Sequence, residues 1–274
     1  MYQKSNWNRY MSLRRWYILL ILLIATSNFY EIGRAEETIT QTTHDELHNK
    51  AMSLKEEGNT NAALEILKKI MDETGNKDEL RYTDALIEQC MIMKDKNDPA
   101  WKLRAIEAAQ KVKILFKANF SNSEYWLVYA KYSALVNKER HVGGAFNKAF
   151  FYKPNYVKGY ILKGDLYSYL AKVSDRSITV SNTSITGETI ETNDKTNFVY
   201  FNMGKSAKEA YEIALNSLSL DNKQKAYVFY RIGELELLIF SNKSEAVRNW
   251  KKVVEFDPDG IYGKISKKRL EIHE

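Results

Sequence analysis

Trp126 and Tyr160 stand 34 residues apart, and the small residues Ala130 and Gly164, four places after each, keep the same interval. A large and a small side chain four apart share one face of a helix, so each pair marks a helix that lets a neighbour come close. The interval suits a unit of two short helices and their turns. A single pair of helices cannot bury its apolar side alone, so such units must stack on one another.

The same phrase recurs along the chain. Tyr160-Ile-Leu-Lys-Gly164-Asp-Leu-Tyr167 reads as the first helix of a unit, and Phe229, Ile232 and Gly233 repeat its offsets. Second helices carry Val142-x3-Phe146-x2-Ala149 with Pro154, and Ala246-x3-Trp250-x2-Val253 with Pro258. Ala207-x3-Tyr211-x2-Ala214 is a copy without the proline. Leu47, Ala51, Leu54 and Gly58 lead into a weaker one at Ala63, Leu67 and Ile70. Small residues belong where two helices cross, large ones fill the space around the crossing, and proline ends a second helix.

These residues resemble the tetratricopeptide repeat family, whose first helix reads Trp-x2-Leu-Gly-x2-Tyr; Lys163 stands where the pattern has Leu. The resemblance implies an all-α, right-handed α-solenoid of about five hairpins, over 44–77, 78–120, 123–156, 157–222 and 226–258. The first two, within 44–120, are irregular; helical patterns at Leu80–Met93 and Ala100–Ala118 lack most signature residues. A capping helix within 260–274 should cover the last face, with Lys264, Lys267, Lys268 and Arg269 on its polar side. Gly 12 and Pro 3 are low counts that disfavour a turn-rich β fold.

One unit is overlong. Tyr160 and Phe229 are 69 residues apart, and the excess falls at 174–197, rich in Ser and Thr with alternating apolar residues. That segment reads as a disordered loop, or as a small β-hairpin that contacts a partner.

The net charge of +6 points first to nucleic acid or an anionic membrane, but residues 1–35 hold Lys4, Arg9, Arg14, Arg15 and Arg34 against Glu31 alone. The remaining chain has 36 basic and 34 acidic residues, so no nucleic-acid partner is expected. The basic segment, the apolar run Trp16–Ala25 and the small residues Gly33 and Ala35 are ordered as in a signal peptide cleaved before Glu36, with 36–43 as linker. Ten apolar residues fall short of the roughly 20 that span a bilayer. The other reading is an uncleaved anchor over 16–30, the only expected tie to a membrane. Either way the chain is exported, to a periplasmic or extracellular place.

Candidate chemistry is sparse. Cys90 is the one cysteine, in an apolar run, so it reads as a buried small hydrophobe. His44 and His48 have the spacing of two zinc ligands on a helix, but Asp45 stands where a zinc protease needs Glu, and Thr43 with Glu46 makes a capping box. No phosphate loop, nucleophile elbow or carboxylate pair is present. The chain is therefore expected to be no enzyme, with no cofactor and no metal.

The resemblance also implies where a partner sits. First helices line the concave groove, and residues beside the signature positions face it: Leu127, Lys131, Ile161, Asp165, Tyr169, Tyr227, Tyr230 and Glu234. The branch of the family that grips a chaperone's terminal carboxylate needs Lys, Asn and Arg where Leu127, Leu162 and Tyr227 stand, so that role is not expected. The expected function is a scaffold for other proteins or peptides in an envelope or secreted complex. The alternative is an accessory subunit that presents a small molecule, held between repeats, to a transporter.

Overall fold

The computed structural model describes residues 44–75, 78–181 and 194–274, and among them every regular element is a helix. The leader 1–35, the linker 36–43 and Thr43 of the expected capping box lie outside the described residues. The elements are α1 (44–56), α2 (Thr60–Thr74), α3 (Glu79–Asp95), α4 (Trp101–Asn119), α5 (Ser123–Leu135) and α6 (Glu139–Tyr152). They continue as α7 (Val157–Ser181), α8 (Asp194–Leu215), α9 (Asn222–Leu238), α10 (Lys243–Phe256) and α11 (Ile261–His273). Consecutive helices pair as five hairpins, from α1–α2 to α9–α10, and α11 packs on both α9 and α10. From α3 onward each odd-numbered helix also packs on the next odd one, so the odd helices form a continuous inner row. The result is an all-α solenoid with a terminal capping helix.

The turn inside a hairpin is built the same way three times. Gly58, Asn97 and Asn137 each adopt positive φ, at 82°, 58° and 56°. Each donates its amide to the carbonyl three residues back, and the next residue donates to the carbonyl five back. This is the Schellman closure, which satisfies carbonyls that the helix end leaves open. Glycine and asparagine occupy the left-handed position because they bear it at least cost. Ser241 takes the equivalent place between α9 and α10, at φ 52°. Asn122, Asp221 and Asn242 cap the helices that follow them, Asp221 in a full capping box with Gln224.

The signature residues sit at the helix crossings. A Cβ on Gly164 of α7 would lie 2.4 Å from the Tyr211 ring of α8, and one on Gly233 of α9 would lie 2.6 Å from the Trp250 indole nitrogen of α10. Ala130, Phe146, Ala149, Ala207, Ala214 and Ala246 are fully or almost fully buried. Tyr160 stacks on Phe150 at 4.2 Å and Phe229 on Phe256 at 5.6 Å. Tyr167 is half-buried against the core. Pro154 and Pro258 follow the ends of α6 and α10 and face solvent.

The long unit between Tyr160 and Phe229 resolves in an unexpected way. α7 has 25 residues and α8 has 22, against 13 and 14 in α5 and α6. Both ends of the expected insertion, 174–181 and 194–197, are helical. Extending a helix that already exists needs no new nucleus. Residues 182–193, where the loop or hairpin reading falls, lie outside the described residues.

Candidate functional site

The inner row carries charged residues just past each small crossing residue. Lys131 follows Ala130, Asp165 follows Gly164 and Glu234 follows Gly233. These are positions at which a groove would offer charge to a partner. Each is engaged within the chain.

Lys131 of α5 reaches α3, where its ammonium lies 2.8 Å from Asp84 and 2.8 Å from Glu88. Asp84 and Glu88 are four apart and so share one face of α3. Burial pushes the Glu88 carboxyl up, but Lys131, with His48 and Lys55 of α1, outweighs it and holds the carboxyl at about 2. Burial acts against the Lys131 ammonium as well, yet the two carboxylates raise its pKa overall. Both partners therefore stay charged in the interior.

Asp165 of α7 is the centre of a second cluster. The hydroxyls of Tyr211 and Tyr227 both donate to its Oδ1 at 2.6 Å, and Arg231 Nε lies 3.2 Å from the same oxygen. Arg231 also donates to the Tyr211 hydroxyl at 3.2 Å. Burial raises the Asp165 pKa, against the pull of Arg231 and the two hydroxyls. From the other side, Glu56 at the end of α1 comes within 3.7 Å of Arg231. The first hairpin and the fifth thus meet on the inner side of the array. Glu234 is held in turn by Arg269 of α11 at 3.3 Å.

The remaining expected groove residues separate by burial. Leu127 and Tyr230 are buried, while Ile161, Tyr169 and Tyr227 are half-buried. Asp165 and Tyr227 are brought into contact; Tyr230 packs with Tyr262 of α11 at 5.2 Å between ring centres. His44 accepts at Nδ1 from Arg81 at 2.9 Å, and His48 Nε2 lies 3.8 Å from Asp84. The two histidines therefore face α2 and α3. Among the described residues no three His, Cys, Asp or Glu side chains gather as a metal site.

Clefts open at two places among the described residues. A cleft of about 620 Å³ lies where the end of α1 meets α11, lined by Glu56, Glu57, Tyr230, Ile265, Lys268 and Arg269 among others. A smaller one, about 330 Å³, lies between α4 and α5 against Phe116, Trp126, Tyr129 and Tyr132. Trp126 donates its indole N–H to the Phe120 carbonyl at 2.7 Å, which fixes the junction of those two helices. The sequence reading passed over Asp84, Glu88, Arg231 and Glu56. Asp84 and Glu88 had a signal in their spacing, but Arg231 and Glu56 are partners only because the array brings its ends together.

The fold and the inner face define a helical-repeat protein whose groove-side charges are paired internally. No protein-family model matches the sequence, and no curated protein matches it. Among solved structures, a tetratricopeptide repeat protein from Parabacteroides merdae is similar at 12% identity, over 85% of this chain and 99% of that one, with a TM-score of 0.27. With so loose a superposition, the repeat architecture of this chain rests on its own packing.

Proposed function

We propose that the chain is an exported scaffold that holds a segment of another protein in the cleft between the end of α1 and α11. The carrying observation is the composition of that cleft. Its lining brings together Glu57, Lys264 and Lys268, with Glu56 and Arg269 already bridged to Arg231 and Glu234, and the apolar groups of Tyr230, Ile261 and Ile265. Charges of both signs around an apolar floor suit an extended peptide, whose own charges fix its direction while its apolar side chains supply the burial. At about 620 Å³ the cleft is in the size range of sites that enclose a few residues. Export is supported by the order of basic, apolar and small residues over 1–35. Among the described residues no arrangement of nucleophile, base and oxyanion donors argues for chemistry.

The test is a photo-crosslinking residue at Ile265 of the full chain, in cells, with a second one on the outer side of α10 at Lys251. A partner captured from Ile265 and not from Lys251, and lost in the Lys268→Glu variant, is the expected result. Equal capture from both positions, or none from Ile265, would remove the cleft from consideration. Mass spectrometry of the isolated chain should find Glu36 at the mature N-terminus; a retained leader would replace cleavage by anchoring over 16–30.

A further inference from the structure

We propose that the outward side of α4 is a docking surface for an anionic phospholipid bilayer. In a stacked hairpin array the outer helices turn a polar side to water. α10 does this: its exposed residues are Lys243, Ser244, Arg248, Lys251 and Glu255. α4 does not. Leu103, Ile106 and Ile114 are 74%, 58% and 62% exposed, and Phe116 and Phe120 are also exposed. Leu103, Ile106, Gln110, Ile114 and Lys117 follow helical spacing along one stripe, and Lys113, Phe116 and Phe120 extend it toward α5. From Leu103 to Phe120 the stripe runs about 25 Å at the rise of an α-helix.

The charge on this side has one sign. Lys102, Lys113 and Lys117 are exposed among the apolar residues, and none lies within ion-pair distance of an acid among the described residues. The single acid of α4, Glu107, accepts a hydrogen bond from the Tyr82 hydroxyl at 2.8 Å and does not face outward. A helix side with protruding aliphatic groups, partly exposed aromatic rings at one edge, lysines without ion-pair partners among the described residues and no exposed acid fits the interface of an anionic bilayer. Its apolar groups would enter to about 5–10 Å while the lysine stems reach back to the phosphates. A protein groove partner would seat in the cleft between α4 and α5 that Lys113 and Phe116 border, whereas the most exposed apolar residues, Leu103, Ile106 and Ile114, lie outside that cleft.

The experiment uses the full chain with an environment-sensitive fluorophore on Cys at position 106 (Ile106→Cys), and a control label at 251 (Lys251→Cys). Cys90 is buried and takes no label in the folded chain. A local probe is needed because the apolar run Trp16–Ala25 could bind lipid by itself. With phosphatidylglycerol–phosphatidylcholine vesicles the label at 106 should shift to the blue and brighten several-fold, and the label at 251 should not. The response should vanish at high salt, and Lys113→Glu with Lys117→Glu should weaken it at least about tenfold. Silence at position 106, an equal response at 251, or the same response to pure phosphatidylcholine overturns the proposal. If the double reversal disturbs folding, the salt titration of the singly labelled chain decides in its place.

Discussion

Gly164 lies so close under Tyr211 that a single added methyl group would stand 2.4 Å from the ring. The ring cannot retreat, because its hydroxyl is tied to Asp165 on the same helix as the glycine. Gly164→Ala should therefore destabilise the chain by about 1–3 kcal/mol through overpacking. Gly144, in the middle of α6, has nothing within 4 Å of its missing Cβ. Gly144→Ala should raise stability by about 0.5–1 kcal/mol through helix propensity alone. Thermal unfolding of the two variants should move in opposite directions, and a loss in both would contradict the packing described.

Lys131 gives a prediction in pH. Lys131→Met leaves Asp84 and Glu88 without their cation in a buried setting, and removing one partner of such a group costs about 3–5 kcal/mol. The sign of the pH effect follows from the depressed Glu88 carboxyl, near 2 against the usual 4.5. Its contribution is complete above pH 4.5 and is lost as pH falls toward 2. Acid unfolding of the natural chain should draw on this window, and in Lys131→Met that part of the pH dependence should disappear. Denaturant titrations across the window would measure both.

Arg231 joins three parts of the chain, so its loss should be broad. Arg231→Leu strands Asp165 and leaves the end of α1 without its link to α9; the cost should again be about 3–5 kcal/mol. Glu56→Gln cuts only the long link at 3.7 Å, between a half-buried carboxylate and a largely buried guanidinium that keeps Asp165, and should cost clearly less than Arg231→Leu globally. Hydrogen exchange separates the two. Glu56→Gln should speed exchange over 44–58 and leave α9 protected, whereas Arg231→Leu should expose both.

Cys90 is wholly buried, and burial pushes its thiol up to about 11. A thiolate is then scarce at neutral pH. Disulfide-exchange reagents should fail to react with the folded chain and should react at the rate of unfolding in denaturant. Prompt reaction would mean that α3 opens locally.

The hairpins of the second half were legible because their crossing residues are glycine, alanine and large aromatics, and crossing sterics act over one unit. Gly164 with Tyr211 and Gly233 with Trp250 are packing rules written directly in residue size. The inner face was less legible. Lys131 reads as a groove lysine until α3 is placed beside it, and α3 carries no signature residue to announce its position. The Glu56–Arg231 contact depends on how far the whole array curves, which no local pattern encodes. The exposed aliphatic side of α4 was hidden for a related reason: its helical pattern was plain, but which apolar residues would be covered depends on neighbours that never reach them.

The meeting of Glu56 with Arg231 also sets an order of events at synthesis. α1 is made before the other described helices, and the arginine that completes its surroundings is made only with α9. At ordinary translation speeds the delay is on the order of ten to thirty seconds. During it the early hairpins must survive on neighbour contacts alone, and a chain cut short after α8 would leave the glutamate with no far partner. That bridge, from Glu56 to Arg231, can close only after α9 has been made, so it ties the first hairpin to the arrival of the fifth.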